Sequence, residues 1–96
     1  MKIGFARVST ISQDLNTQLE ELTNAGCEKV FSGKHSGISN ANEVALNQMI
    51  EFARSGDVIH VTKLDRLGRS LSQVLNSINQ LTSKGIKLIT LDGSVD

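Results

Sequence analysis

The 96-residue sequence has no proline, tryptophan or tyrosine, and Cys27 is its single cysteine. One cysteine excludes a disulfide framework and fits a reducing compartment, so we expect a cytoplasmic protein. The sequence lacks both a run of 18 apolar residues and the apolar core of a signal peptide, and we expect no contact with a membrane. Its three aromatic residues are all phenylalanine, too few for the stacking platforms that bind single-stranded nucleic acid.

No charge of one sign dominates the sequence either. Ten basic and ten acidic residues cancel, so the chain as a whole carries no electrostatic signature for nucleic acid or an anionic membrane. One cysteine and two distant histidines make no zinc site, and the acidic residues are too scattered for a two-metal cluster. Neither a Walker loop nor a GxGxxG motif is present. We therefore expect no metal and no cofactor.

What the sequence does contain is a regular alternation of apolar patterns. Three stretches have helical spacing and a glycine after them, and they run from Ser12 to Ala25, from near Asn40 and from near Ser70. The β-branched content of four short apolar runs predicts strands at Lys2–Val8, Cys27–Phe31, Val58–Thr62 and Ile86–Leu91. The resulting β-α-β-α-β-α-β order predicts an α/β fold, with a mostly parallel sheet between helices on both faces.

Two of these elements predict buried residues. His60 lies inside an apolar strand and is interpreted as a packed structural residue. Ser32–Ala41 is a Ser-, Gly- and Asn-rich loop of about ten residues, for which a functional role and a surface excursion are both open. In the third helix, the predicted apolar stripe consists of Leu71, Val74, Leu75, Ile78 and Leu81.

Polar residues follow the first and third predicted strands. Because the carboxyl ends of parallel strands open on one edge of a sheet, ligands of α/β folds bind there. Three of the four arginines fall in these segments: Arg7 after the first strand, and Arg66 and Arg69 after the third. Arg66 and Arg69 are three residues apart at a predicted helix entrance and could share one face. This pattern favours a phosphate site, although a solvated, charged helix start has the same residues.

Ser9 is the strongest nucleophile candidate on this edge. A serine hydroxyl needs help to ionise, usually from histidine. His35 in the long loop could approach it, but no Ser-His-Asp set emerges. A hydroxyl that attacks a phosphodiester can rely on arginines instead, since they neutralise the charge that develops.

The two polar segments resemble the signatures of the serine recombinases, the resolvase and DNA invertase family. They read Ala6-Arg7-Val8-Ser9-Thr10 and Lys63-Leu64-Asp65-Arg66-Leu67-Gly68-Arg69-Ser70. The second segment is long and specific, and the first agrees in position. Further similarities extend the resemblance over essentially the whole chain, at Gln18, 25–28, Lys34, Ser36, Gly37, Gly56 and Asp57.

The resemblance implies an N-terminal catalytic domain that cuts and rejoins double-stranded DNA without a metal or a nucleotide cofactor. Ser9 would attack a phosphodiester, form a 5′-phosphoserine link and release a 3′-hydroxyl. Arg7, Arg66 and Arg69 would bind the scissile phosphate and activate the serine. Asp65 would orient these arginines and act as general acid to the leaving oxygen, and the supporting groups would be Gln18, Ser36 and Lys63.

The resemblance also implies larger assemblies. Full-length members form homodimers, and four subunits synapse two DNA sites. They continue into a long dimer helix and a helix-turn-helix domain, whereas this sequence ends at Asp96. We therefore expect residues 1–96 to be a truncated catalytic core with weak specific DNA binding, in keeping with its zero net charge.

One position departs from the family pattern. Family members usually carry another active-site arginine at the start of the second helix, where this sequence has Glu43 or, with a one-residue gap, Asn42. Loss of one preorganised donor costs about 3–4 kcal/mol at the barrier. Two hypotheses follow: a weak or inactive recombinase, and a catalytically silent interaction domain. A phospho-acceptor receiver domain is disfavoured because Asp57 lies at the start of the third strand and not at its end.

Overall fold

A computed structural model describes residues 1–7, 12–33, 41–68 and 70–93 of the chain. A 3₁₀ helix, Leu64–Leu67, lies between the third strand and the third α-helix. The predicted β-α-β-α-β-α-β order is confirmed, and the 3₁₀ helix is an addition to it. The strands are β1 (Lys2–Ala6), β2 (Lys29–Ser32), β3 (Val58–Val61) and β4 (Lys87–Thr90), and the helices are α1 (Ser12–Asn24), α2 (Ala41–Phe52) and α3 (Leu71–Ser83).

The four strands form one parallel sheet in the order β2-β1-β3-β4. In β1, Gly4 pairs with Val30 of β2 on one side and with His60 of β3 on the other. The chain therefore passes to one side of β1 through α1 and returns to the other side through α2. This reversal makes the carboxyl ends of β1 and β3 the topological switch point, where open α/β sheets bind ligands.

Helices cover both faces of the sheet, as predicted. Phe5 of β1 belongs to a core cluster that includes Met49 of α2 and Leu81 of α3. Its neighbour Gly4 faces the opposite side, because successive strand residues alternate between faces. A Cβ atom at Gly4 would lie 3.2 Å from Leu22 of α1. The lack of a side chain at Gly4 thus lets α1 pack closely on its face, while α2 and α3 cover the other.

The buried side of α3 differs from the predicted stripe. Val74, Ser77 and Leu81 are buried, whereas Leu71 and Leu75 are 74 % and 52 % exposed. The three buried residues follow the i, i+3, i+7 spacing of one helix face. The prediction is wrong at Leu71 and Leu75 because it followed apolar side chains, and the face that packs on the sheet contains a serine.

The two glycine-containing turns after α2 and α3 are hydrogen-bonded to each other at the amino edge of the sheet. Gly56 follows α2 and Gly85 follows α3, with φ values of 94° and 76°, a region that favours glycine. The Gly56 N–H donates to the carbonyl oxygen of Gly85 at 3.1 Å. The predicted helix ends near these glycines are confirmed, and a backbone hydrogen bond links the two turns.

His60 is buried in β3, with 5 % of its surface exposed. Burial lowers the pKa of its imidazole, and the positive charge of Lys2 lowers that pKa further. The folded protein therefore favours the neutral ring, whereas the unfolded chain binds a proton as the pH falls through about 6.5. This difference in proton binding reduces the stability of the fold as the pH falls below the unfolded pKa.

Lowering the pH from about 7.5 to about 5.5 should reduce the free energy of unfolding more in the native chain than in His60→Leu. Urea unfolding followed by circular dichroism at the two pH values measures the difference. His35 and the carboxylates are present in both proteins, so their titration cancels. The same pH dependence in both proteins would contradict the role assigned to His60.

Candidate active site

Two arginines lie at the carboxyl edge of the sheet. Arg7 follows β1 directly, and Arg66 lies in the 3₁₀ helix after β3. Because β1 and β3 pair side by side, two residues that are distant in the sequence reach the same end of the molecule. Both are half-buried, and both line one cavity of about 130 Å³. The structure therefore brings together these two of the predicted phosphate ligands.

The cavity lies between α2 and α3. Its apolar lining includes Phe5 of β1 and Leu67 of the 3₁₀ helix. On each helix, residues at i, i+3, i+4 and i+7 line the cavity. One face of α2 and one face of α3 therefore lie on opposite sides of it. Sequence reasoning missed the polar part of these faces, although this shared spacing was a usable signal. The carboxamides that line the cavity are Asn42, Asn47, Gln73, Asn76 and Gln80.

Gln18 of α1 holds the backbone of Arg7. Its side chain is 2 % exposed. The Oε1 atom accepts a hydrogen bond from the Arg7 N–H at 3.2 Å, and Nε2 donates to the Arg7 carbonyl oxygen at 3.0 Å. This two-way contact satisfies both backbone groups of the first residue after β1. Gln18, predicted as a supporting group, thus fixes the direction in which the chain leaves the sheet.

The predicted start of the third helix near Ser70 is confirmed, with Arg66 ahead of it; the predicted face shared with Arg69 lies outside the described residues. Arg66 belongs to the 3₁₀ helix, which is followed by Gly68 in extended backbone with φ −179° and ψ 171°. Helix α3 begins only after Ser70, whose side chain accepts a hydrogen bond from the Gln73 N–H. The physical reason is the N-cap: a capping serine has extended backbone angles, so the helix cannot continue toward Arg66.

The other predicted site residues fall into two groups. Lys63 and Asp65 are exposed, and neither is among the described residues that line the cavity. The remaining candidates lie outside the described residues; they are Ser9, Ser36 and Arg69, together with His35.

Both candidates for the missing arginine position line the cavity. Asn42 and Glu43 lie at the start of α2. Whichever of the two takes the place of the expected arginine, the residue at that position lines the cavity. The cavity holds an amide and a carboxylate where the family pattern predicts a guanidinium. Glu43 Oε2 is inaccessible to solvent. The Glu43 carboxylate brings negative charge into a space lined by Arg7 and Arg66, and this charge opposes the binding of a phosphate.

In the described part of the chain, no group of three or more His, Cys, Asp or Glu side chains is placed to hold a metal ion. No helix in the described ranges combines the length and apolar character needed to cross a bilayer. Cys27 is a free thiol, and burial raises its pKa.

The chain matches a known protein family over almost its whole length. The family described as "Resolvase, N terminal domain" matches residues 2–96. The chain belongs to the resolvase family. This assignment confirms the predicted family, and the parallel sheet between helices confirms the predicted fold class.

Relatives of this resolvase-family chain come from bacteria and a phage. The transposon Tn552 DNA-invertase BinR of Staphylococcus aureus is 45 % identical over 95 residues. The DNA-invertase hin of Salmonella typhimurium is 38 % identical over 94 residues, and the serine recombinase gin of Escherichia phage Mu is 38 % identical over 96 residues. These matches cover 99 %, 98 % and 100 % of the chain but 49 % of each relative. The chain thus spans about half the length of these relatives.

Replacing Gln18 by leucine should lower the free energy of unfolding by about 1–3 kcal/mol, because the Arg7 N–H and carbonyl lose their side-chain partners. Urea unfolding measures the loss. Asn16→Leu is the matched control, since Asn16 is an exposed residue of the same helix. Losses that agree within about 0.5 kcal/mol in the two variants would show that the contact between Gln18 and Arg7 contributes little.

Proposed function

We propose that this resolvase-family chain is the catalytic domain of a site-specific DNA recombinase. The Ser9 hydroxyl attacks the phosphorus of a phosphodiester, so that an Oγ–P bond forms and the P–O3′ bond breaks. The hydroxyl proton leaves Ser9, and the 3′-oxygen takes up a proton and departs as a 3′-hydroxyl. Attack by a new 3′-hydroxyl reverses these steps and rejoins the DNA. Because the covalent link retains the phosphodiester energy, no nucleotide cofactor is consumed.

The observation that carries this proposal is the cavity shared by Arg7 and Arg66 at the switch point of the sheet. Two guanidinium groups supply both the positive charge and the hydrogen-bond geometry that a phosphate requires. Arg69 follows Arg66 by three residues and is proposed as the third ligand. Cations in fixed positions stabilise the charge on the phosphate oxygens in the transition state, and this is the main source of catalysis in phosphoryl transfer.

The exposed residues near Arg66 take the remaining roles in this proposal. Asp65 is proposed as the general acid to the leaving 3′-oxygen, and its exposed position leaves it accessible to bound DNA. The exposed ammonium group of Lys63 suits a contact with the DNA backbone, which positions DNA without reading its sequence. Gln18 acts through the backbone of Arg7, and Ser36 completes the supporting groups.

The proposed partners are double-stranded DNA and further copies of the protein. The curated relatives are about twice as long as this chain. We therefore place specific DNA recognition, dimer formation and the four-subunit synapse in a full-length context, with the reaction in the cytoplasm. The zero net charge of the 96 residues supports this division, because specific DNA binding requires a basic surface.

A second candidate function is a catalytically impaired domain that retains the fold for contact with other subunits. It is favoured by the position of Glu43 in the cavity with Arg7 and Arg66. The glutamate removes one expected phosphate donor and adds a charge of the same sign as the substrate. The two functions differ in one chemical event, the formation of a covalent bond between Ser9 and DNA.

A hybrid of this chain with the second half of the transposon Tn552 DNA-invertase BinR should form a covalent adduct with the DNA site of that relative. The adduct is measured as a protein-linked band on a denaturing gel, with the label on the strand whose 5′-phosphate is captured. Ser9→Ala removes the attacking hydroxyl and should abolish the band, whereas the matched change Ser72→Ala, on the exposed side of α3, should retain it. If neither the native hybrid nor its Glu43→Arg variant forms the adduct, the silent interaction domain is the better assignment.

Glu43→Arg should raise the rate of DNA cleavage by the same hybrid about 10²–10³-fold, because it restores a preorganised cation in the cavity. Glu43→Gln removes the negative charge alone and should give a smaller increase. Glu51→Arg makes the same charge change at an exposed position of α2 and should alter the rate by less than about threefold. Equal cleavage by the native and Glu43→Arg hybrids would show that Glu43 does not impair the site.

A further inference from the structure

Ser77 is a polar residue on the buried face of α3. Its exposed fraction is 4 %, comparable with that of Val74 at 5 % and Leu81 at 1 % on the same face. A hydroxyl group in such a position loses its hydrogen bonds to water, so it needs partners within the protein. Ser77 also lines the cavity that Arg7 and Arg66 share.

The Ser77 hydroxyl has two hydrogen-bond acceptors within reach. Its Oγ atom lies 3.0 Å from the carbonyl oxygen of Gln73 and 3.2 Å from the carbonyl oxygen of Leu67. The first contact is the local i−4 bond that helical serines commonly make. The second is a tertiary contact, because Leu67 is the last residue of the 3₁₀ helix that carries Arg66.

The contact with Leu67 is one of several that hold this segment against the rest of the domain. The Leu67 side chain is fully buried in the core. The backbone at Gly68 presses against α3 so closely that a Cβ atom there would lie 2.6 Å from Cβ of Gln73. The Ser77 hydroxyl adds a polar contact to these two apolar ones. Arg66 precedes these contacts directly, so its backbone direction depends on them.

We propose that Ser77 is a positioning residue for Arg66. By donating to the Leu67 carbonyl, its hydroxyl holds the end of the 3₁₀ helix against α3 and thereby sets the direction from which the Arg66 guanidinium enters the cavity. Its effect on DNA cleavage rests on the proposed recombinase function, whereas its effect on the segment around Arg66 does not. In this role Ser77 acts on Arg66 through the backbone of Leu67.

The structural part of this proposal is tested on the 96-residue chain by amide NMR. Ser77→Ala should shift the Arg66 and Gly68 amide signals and speed hydrogen exchange in this segment about tenfold. Ser83→Ala is the matched control, because Ser83 is an exposed residue of the same helix whose hydroxyl donates to the Gln80 carbonyl at 2.9 Å. Equal effects of the two substitutions on Arg66 and Gly68 would overturn the proposal.

The functional part is tested with the Tn552 hybrid in its Glu43→Arg form. Ser77→Ala should slow cleavage at saturating DNA about tenfold, with little change in the DNA concentration that gives half the maximal rate. Ser77→Thr keeps the hydroxyl and should restore the rate, whereas Ser77→Cys keeps the side-chain shape with a larger atom and a weaker donor, and should not. Thermal unfolding identifies any variant that fails to fold. Loss of DNA binding without loss of rate, or no rescue by threonine, would overturn the positioning role. If the hybrid with Ser77 intact does not cleave DNA, the proposed function fails, and the NMR comparison alone decides the role of Ser77.

Discussion

The pairing of β1 with β3 at the centre of a parallel sheet is the constraint on which the candidate site depends. The two strands run in the same direction, so the segments that leave them must emerge at one edge. Arg7 and Arg66 are thereby brought to one cavity without any direct attraction between their like charges. The Glu43 carboxylate in the same cavity offsets part of that repulsion, and the packing of the sheet and its helices offsets the rest, which makes the core a precondition for the site.

Polar residues on buried helix faces bind the backbone next to the two arginines of the cavity. Gln18 of α1 binds the backbone of Arg7, and Ser77 of α3 binds the carbonyl that follows Arg66. In both cases a helix fixes the main chain next to an arginine that lines the cavity. A long, flexible side chain is placed most reproducibly when its backbone is fixed, because the remaining freedom is limited to its own rotamers.

The sequence predicted those features that follow from local patterns and from the geometry of parallel sheets. Apolar spacing and terminal glycines are local, so the element order emerged correctly, and the strand directions then placed Arg7 and Arg66 on one edge. The missed features depend on packing between elements. Nothing near Gln18 or Ser77 in the sequence identifies the distant backbone groups that they contact. The stripe on α3 failed for the same reason, since the position of the sheet decided that Ser77 and not Leu75 is buried.

The 3₁₀ helix separates Arg66 from α3, although the two lie close together in the sequence. The three-residue spacing of Arg66 and Arg69 fits a helix face, but Ser70 is a strong N-cap and starts α3 after both arginines. The cap has the larger effect because it satisfies a backbone donor that would otherwise lack a partner. Arg66 is thus held in a separate short segment, whose direction is set by the core at Leu67 and not by the axis of α3.

Glu43 is explained more readily by folding than by catalysis. An acidic residue in the first turn of α2 interacts favourably with the helix dipole, a gain of about 0.3–1 kcal/mol. A carboxylate about 6 Å from a bound phosphate, at an effective dielectric constant of about 20, would repel it by about 3 kcal/mol. The missing donor adds a loss of similar size at the transition state. Both catalytic terms have the same sign and exceed the gain in folding, so a glutamate at this position is compatible with slow phosphoryl transfer and poorly suited to rapid turnover.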